Sequence, residues 1–313
     1  MSTTDNADEI IAGVDIGGTK TALLLWNREQ DAVVGQETFA TPVESGPEAL
    51  LDGVNETLDM LLEQSGLART QLKGIGIAVP GLVDAKSGTV LSAGNLAGWE
   101  NLALRELSEK TVGIPTAIEH DANAAALGER WRGAAQTLES FAFIALGTGV
   151  GVGVILNGQL VRGAHHAAGE LGDLVVGREF LGQDRAGVGN LAHLIGGKTL
   201  RRRAVQTTGT ELSAAEAIAW AEEDADLAVM AEEVADYLSI AIIAITTLLD
   251  PQAIIVGGGT AEAGEDLLDP VRDRVAREVV TAPRLIPSAL GADAQVYGAV
   301  FAAWQALTTH GLT

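Results

Sequence analysis

The sequence predicts an α/β protein made of two lobes that repeat one folding pattern. Residues 10–26 and 139–156 each show an apolar β run, a Gly/Thr turn and a second apolar β run. Apolar runs and helical spacings alternate along both halves, and no Pro- or Ser-rich linker divides them. The 313 residues are enough to bury a core in each lobe. We therefore expect an internally duplicated fold with a cleft between two closely packed lobes.

The smaller lobe is predicted to span residues 1–120, with a C-terminal helix at about 295–313 packed back on it. It opens with a hairpin, because two apolar runs flank a glycine-rich turn. Leucines at helical spacing mark residues 47–64 as a helix. The predicted strands are 10–16, 21–26, 32–39, 74–79, 89–91 and 116–119, and a second helix is predicted at 101–109.

The larger lobe is predicted to span residues 121–294 and to begin with a helix from about residue 122 to residue 131. The second strand–turn–strand segment follows, and then helices through 190–249. A strand at 253–256 leads through Gly257, Gly258 and Gly259 into another helix. We expect a flat nucleotide base or a ribose to lie over these three glycines.

The chain is strongly acidic: 42 Asp and Glu residues stand against 20 Lys and Arg, and the net charge is −22. This charge argues against partners such as nucleic acid or an anionic membrane surface. It suits a halophilic protein, because high salt screens the repulsion between surface charges. An ordinary acidic cytoplasmic protein would show the same sign of charge, so both interpretations stay open.

No cysteine is present, which excludes disulfides, thiolate nucleophiles and cysteine-ligated zinc. The first ten residues, MSTTDNADEI, show neither the basic nor the apolar region of a secretory signal. The apolar run 237–249 is too short to cross a bilayer and favours a buried helix. We therefore expect a soluble cytoplasmic protein.

Two glycine-rich turns carry the strongest functional signal. The first is Gly17-Gly18-Thr19-Lys20, directly after Asp15, and the second is Gly147-Thr148-Gly149. Glycine lets a backbone approach a ligand closely, and successive N–H groups in such a turn form a nest that holds anionic oxygens. The two turns therefore indicate two clamps on one polyphosphate.

Transfer of a γ-phosphoryl group requires positioning, charge stabilisation and a carboxylate that takes the proton of the acceptor hydroxyl. Asp121 is the candidate base, since it follows a predicted strand at the start of a helix. Asp15 is a candidate for binding Mg²⁺ directly or through its water shell. Each residue also has a plainer interpretation: Asp121 as a helix N-cap, Asp15 as a turn residue and Lys20 as a solvated strand residue.

Seven motifs, in this order, resemble the ROK sugar kinases over about residues 12–307. These are ATP-dependent hexose kinases of the actin/hexokinase-like (ribonuclease H-like) ATPase fold, together with related sugar-responsive repressors. The motifs are DIGGTKT (15–21), GIGIAVPGLVD (74–84), GNLAGWENLALREL (94–107), EHDANAAALGE (119–129), ALGTGVGVGV (145–154), GELGD (169–173) and IIVGGG (254–259).

The resemblance implies a role for each motif, with ATP and Mg²⁺ as the cofactors. Asp121 would be the general base that deprotonates a sugar hydroxyl, and Asp15 would bind Mg²⁺. Sugar hydroxyls would contact polar groups and one turn glycine: Gly81, Asn95, His120, Asp121 and Glu170. The nucleotide would be bound by Asp15, Gly17, Gly18, Thr19, Lys20, Gly147, Thr148, Gly149, Gly257, Gly258 and Gly259.

The chain departs from the family pattern in the acceptor pocket. His120 stands where the family has Asn, Asp173 replaces a zinc-ligating His, and Ala192 replaces a sugar-binding Glu. The family's zinc cysteines would fall in residues 183–192, where this chain has none. We therefore expect no zinc. We also expect that the phosphate-binding turns and the general base are retained, whereas the sugar pocket is changed.

The expected function is ATP-dependent phosphorylation of a sugar hydroxyl, with glucose as the default acceptor. Two alternatives stay open: a kinase for an amino sugar or a sugar acid, and a non-catalytic sugar-binding regulator. The resemblance also implies a homo-oligomer, either a dimer or a tetramer.

Overall fold

A computed structural model describes residues 9–93, 96, 98–182 and 190–309. The strands are β1 (Ile10–Ile16), β2 (Lys20–Asn27), β3 (Ala32–Ala40), β4 (Leu72–Val79), β5 (Leu82–Asp84), β6 (Thr89–Ser92), β7 (Thr116–His120), β8 (Phe141–Leu146), β9 (Val150–Leu156), β10 (Gln159–Leu160), β11 (Ala253–Gly257) and β12 (Arg284–Pro287). The helices are α1 (Gly46–Gln64), α2 (Leu104–Val112), α3 (Asp121–Arg132), α4 (Asn190–Ile195), α5 (Gly197–Thr208), α6 (Ala214–Ala219), α7 (Ala225–Leu249), α8 (Glu265–Glu278) and α9 (Ala294–Thr309).

The chain divides into two compact units. Unit 1 comprises Met1–Trp131 and Asp293–Thr313, and unit 2 comprises Arg132–Ala292. The predicted division fell after residue 120 instead. The difference concerns helix α3, whose Gly128 lies against the Ala294 carbonyl of α9 so closely that a Cβ would overlap it. Helix α3 therefore packs with unit 1 almost to its end.

The sheets of the two units repeat one topology. In unit 1 the strand order is β3-β2-β1-β4-β7, and in unit 2 it is β10-β9-β8-β11-β12. In each sheet the strand beside the central strand on the hairpin side runs antiparallel to both of its neighbours, and the two strands on the other side run parallel to the central strand. Strand β12 was not predicted, because its two end residues are exposed and its apolar run is short. The repeated order agrees with the internal duplication that the sequence predicts.

Each unit has its own apolar core. In unit 1 the buried side chains of β1, β4 and α1 form one cluster. In unit 2 the cluster joins β8, β9 and β11 to helices α4 through α8. Helix α7, which contains the apolar run 237–249, buries Leu238, Ile242 and Ile245 in that core. Among the described residues, no helix combines the length and the apolar character that a membrane crossing requires.

Helix α9 covers one face of the unit 1 sheet and touches it backbone to backbone. A Cβ at Gly76 of β4 would overlap the Ala299 carbonyl of α9, and a Cβ at Gly298 would overlap the Ala124 carbonyl of α3. Glycine alone permits this approach, because it carries no side chain. In the middle of α9, Phe301 stacks on Trp131 with ring centroids 5.7 Å apart. The prediction that the C-terminal helix packs back on the first lobe thus has a direct structural basis.

Helix α2 begins later than the predicted helix at 101–109. Asn101 has a φ of 51°, which is the left-handed region, and Leu102 pairs with Val90 beside β6. These two residues therefore extend the β5–β6 hairpin, and the helix starts at Leu104. Helical spacing could not reveal this tertiary pairing.

Replacing Gly298 tests the backbone contact. Gly298→Ala should lower the free energy of unfolding by about 1–3 kcal/mol, because the new methyl group forces α9 away from α3. Gly53→Ala is the matched control within α1: its Cβ would lie 3.5 Å from Phe39, an ordinary contact. Since alanine favours a helix more than glycine does, the control should be neutral or stabilising by up to about 1 kcal/mol. Urea titration measures both, and equal stabilities would contradict the packing argument.

Candidate active site

The predicted site residues fall into two groups, one in each unit. In unit 1, the parallel strands β1, β4 and β7 end at one edge of the sheet. Their register places Asp15 beside Ala78, and Ala78 beside Glu119. The first glycine turn, Gly81 and the His120-Asp121 pair follow these strand ends directly. Ligands of α/β sheets bind at such carboxyl edges.

The first glycine turn, Gly17 to Lys20, is closed by a residue that sequence reasoning missed. Gly17 N donates to Lys20 O over 3.0 Å. Thr41 then ties the turn to the end of β3: its hydroxyl donates to Gly17 O over 2.8 Å, and its N–H donates to Thr19 O over 3.1 Å. Lys20 and Gly18 are exposed. The turn is therefore held from behind by Thr41, while the lysine and a glycine face solvent.

Asp15 is an acid in an unfavourable environment. Its pKa is raised from 3.8 to about 7: burial is the largest cause, the Asp121 carboxylate adds to the rise, and Lys20 opposes it. Desolvation and a nearby like charge both disfavour the ionised form of a carboxyl group. The site is therefore suited to a cation, which would restore the ionised form of Asp15.

Asp121 is the first residue of α3, and its carboxylate is about a third exposed. Its Oδ1 accepts the N–H of Ala122 over 2.6 Å and lies 3.0 Å from His120 Nε2. A capping carboxylate accepts N–H groups two or three residues further on, so the contact to the next residue does not have the geometry of a standard N-cap. The plainer interpretation of Asp121 is therefore weakened.

The junction between β7 and α3 contains a second, buried carboxylate. Glu119 is 2% exposed, and its Oε1 accepts the His120 N–H and the Asn123 Nδ2 group, each over 3.0 Å. These bonds join the last strand residues to the first helical turn. They fix the backbone that carries Asp121.

Gly81 has a φ of 93°, a left-handed conformation that a side chain would strain. A Cβ at this position would also overlap the Ser92 carbonyl. The glycine therefore allows the chain to turn sharply after β4 and to return as β5. Asn95, the predicted sugar contact on the next segment, lies outside the described residues.

In unit 2, the second glycine turn joins β8 to β9. A Cβ at Gly147 or Gly149 would have no neighbour within 4 Å, so this turn has open space around it. Behind it, the N–H groups that open α5 donate to the turn: Gly197 N to Gly147 O over 2.9 Å and Lys198 N to Thr148 O over 3.4 Å. The turn is thus supported by the start of a helix.

The three-glycine segment lies beside this turn within unit 2. Gly257 ends β11 and pairs with Ala145 of β8. Gly258 has a φ of 92°, and a Cβ there would lie 2.6 Å from Leu146 O. The geometry brings together Gly147, Thr148, Gly149 and the Gly257–Gly259 segment at one edge of the unit 2 sheet.

Glu170 and Asp173 lie on a short helical turn next to β9. Val152 N donates to Gly169 O over 2.8 Å, and Asp173 N donates to Glu170 O over 3.1 Å. A Cβ at Gly172 would lie 3.1 Å from the Ala192 side chain, which is tighter than an ordinary contact. Glycine at position 172 and a small residue at position 192 therefore allow the two segments to approach each other. Within the described ranges, no group of three His, Asp or Glu side chains could hold a metal. Residues 183–189 lie outside those ranges, so the absence of zinc stays a prediction.

Comparison with known proteins places this geometry in a family. The ROK family model matches residues 11–306. Among curated proteins, a glucokinase from Halalkalibacterium halodurans is 29% identical over 93% of this chain and 94% of its own length. A xylose repressor from Caldicellulosiruptor bescii is 27% identical over 84% of this chain and 69% of its own length.

The solved structures agree. A ROK family glucokinase from Streptomyces griseus, in complex with glucose and AMPPNP, is similar with a TM-score of 0.80 and 30% identity. The match covers 95% of this chain and 99% of that one. This likeness confirms the predicted actin/hexokinase-like fold. The protein described here therefore belongs to the ROK family.

Proposed function

We propose that this protein is an ATP-dependent sugar kinase in which Asp121 is the general base. The observation that carries the proposal is the arrangement of Asp121, Asp15 and the first glycine turn at one edge of the unit 1 sheet. This edge combines a partly exposed carboxylate, a nest for phosphate oxygens and an acid suited to a cation. Similarity to the Streptomyces griseus glucokinase, whose structure contains glucose and AMPPNP, supports the same function.

The reaction needs one proton transfer and one substitution at phosphorus. As a sugar hydroxyl attacks the γ-phosphorus of ATP in line, its O–H bond breaks and the proton passes to Asp121. A new bond forms between the sugar oxygen and phosphorus, and the bond to the bridging oxygen of ADP breaks. The carboxylate thereby removes the positive charge that would develop on the attacking oxygen.

The glycine turns would bind ATP. Backbone N–H groups of Gly17 to Lys20, with the Lys20 ammonium, would contact phosphate oxygens. Gly147, Thr148 and Gly149 would contact phosphates as well, while Gly257, Gly258 and Gly259 would support the adenosine. The carboxylate of Asp15 fits Mg²⁺, which prefers one or two carboxylates plus water. When bound, Mg²⁺ would neutralise charge on the phosphates.

Glucose is the default acceptor, and Gly81, Asn95 and Glu170 are its proposed contacts. Three departures from the family pattern, at His120, Asp173 and Ala192, affect this pocket and keep an amino sugar or a sugar acid as an alternative acceptor. A non-catalytic sugar-binding regulator is the second candidate function, because a xylose repressor is among the relatives. The acidic net charge of −22 disfavours the DNA contact of such a repressor.

The same proposal includes the properties of the whole molecule. We infer a halophilic, cytoplasmic homo-oligomer without zinc, on the basis of its composition and its family.

A substrate panel tests the reaction. ADP release is measured in high-salt buffer with hexoses, amino sugars and sugar acids. We expect sugar-dependent ADP release with the highest kcat/KM for glucose. A higher kcat/KM for an amino sugar or a sugar acid would show that glucose is not the preferred acceptor, while the proposed phosphoryl transfer to a sugar hydroxyl would still hold. Sugar binding by calorimetry without ADP release from any sugar would instead identify a regulator.

Replacing Asp121 tests the base. Asp121→Asn keeps an Oδ1 acceptor for His120 and Ala122 but loses the ability to take a proton. We expect kcat to fall by a factor of about 10²–10⁴, the usual contribution of a general base. The Kd of AMPPNP, measured by calorimetry, should stay within a factor of about 3, since Asp121 is not a proposed nucleotide contact. A near-normal kcat would show that another group is the base.

Replacing Asp15 tests its raised pKa through the pH dependence of Tm. Since the folded pKa is raised from 3.8 to about 7, the protonated form stabilises the fold fully below pH 3.8, and this stabilisation is lost as the pH rises through 7. Asp15→Asn does not titrate, so its Tm advantage over the wild type should grow between pH 5.5 and pH 8 in buffer without Mg²⁺ and ATP.

The control for this experiment is Glu63→Gln, which removes one negative charge from the exposed face of α1. It separates the local effect from the general repulsion of an acidic chain. The same Tm advantage of Asp15→Asn at both pH values would contradict the raised pKa. Loss of kinase activity in Asp15→Asn, alongside the higher Tm, is expected because the proposed Mg²⁺ contact is removed.

A further inference from the structure

We propose that His120 is a positioning residue that acts through Asp121 and not through the sugar. This inference rests on the proposed function, since it assigns a role around the proposed base. It changes the role that the family resemblance implies for position 120, which is a direct sugar contact. The evidence is the geometry of the His120-Asp121 pair and the way in which the fold immobilises it.

The imidazole and the carboxylate meet through defined atoms. His120 Nε2 lies 3.0 Å from Asp121 Oδ1. In the proposed role Nε2 donates to this contact, because a carboxylate only accepts. The same Oδ1 accepts the N–H of Ala122 over 2.6 Å. Both contacts therefore meet at Oδ1.

Two contacts at one oxygen restrict the orientation of the carboxylate. One comes from the backbone of α3 and the other from a side chain of β7, so rotation of the carboxylate loses at least one contact. Oδ2 is the oxygen that remains for the proton of the substrate. A general base must lie within hydrogen-bond reach of that proton, and a displacement of about 1 Å can reduce the rate about 10²-fold.

His120 is itself held firmly. Its side chain is only 11% exposed, and its backbone pairs with Val79 of the neighbouring strand β4. Its N–H donates to the buried carboxylate of Glu119. An imidazole on a rigid strand end can orient a neighbouring side chain more accurately than one on a loop.

The contact makes a specific demand on the side chain at position 120. It needs a donor at the distance of Nε2 from the backbone. Gln places its amide nitrogen at a similar distance, whereas Leu has similar bulk and no donor. Asn is one methylene shorter than Gln, so its amide resembles Nδ1 in reach and should not span the gap to Oδ1.

The experiment compares His120→Gln, His120→Leu and His120→Asn with the wild type in the ADP-release assay, using the preferred sugar of the panel. We expect His120→Leu to lower kcat about 10- to 100-fold while the KM for the sugar changes less than about 3-fold. His120→Gln should keep kcat within about 3-fold of the wild type, and His120→Asn should lie between the two. Lys73→Gln, an exposed change near the start of β4, is the control for kinetic scatter.

Tm and the Kd of AMPPNP are measured for every variant, and only variants with a wild-type Tm are compared. A higher KM with an unchanged kcat in His120→Leu would make His120 a sugar contact and overturn the proposal. Equal loss of kcat in the Gln and Leu variants would also overturn it, because the donor would then not matter. If the wild type is active and the His120 variants have the same kcat and KM, the positioning role alone is refuted. If the wild type itself is inactive, the proposed kinase function is refuted together with the positioning role.

Discussion

The unit 1 site depends on a backbone contact that admits no side chain. Helix α9 lies directly against β4 at Gly76 and against α3 at Gly298. Because interiors are close-packed, a helix held at this distance fixes the strands and the helix beneath it as one rigid body. Asp15 lies on the strand next to β4, and Asp121 opens α3. The last helix of the sequence therefore sets the distance between the two acids that the chemistry requires.

The duplication explains why a glycine turn follows the central strand in each unit, although an aspartate precedes only the first of these two turns. Each turn follows the central strand of its sheet, so Asp15-Ile16-Gly17 corresponds in topology to Ala145-Leu146-Gly147. The second position has alanine where the first has aspartate. A repeated fold thus supplies two glycine turns of similar origin, while the acids proposed for a cation and a proton, Asp15 and Asp121, lie in unit 1.

Local patterns predicted the site better than they predicted its supports. Hairpins, glycine turns and the strand–helix junction at Asp121 depend on neighbouring residues, and the sequence shows them directly. Thr41 supports the first turn from another strand, and Ala192 packs on Gly172 from another helix. Neither contact has a periodicity or a motif of its own. The His120–Asp121 contact lies between the two cases, because the residues are adjacent but only their side-chain geometry distinguishes a sugar contact from a support.

The electrostatics of the unit 1 edge suggest why a protein would keep an unfavourable arrangement. Burial and the Asp121 carboxylate both raise the pKa of Asp15. A chain selected for stability alone would replace one of the two aspartates, so the pair is better explained by its use. A cation bound at Asp15 would attract the Asp15 carboxylate and so offset the unfavourable effects of burial and of the Asp121 charge. Binding of metal would then release the proton of Asp15 near neutral pH, since a ligating carboxylate must be ionised.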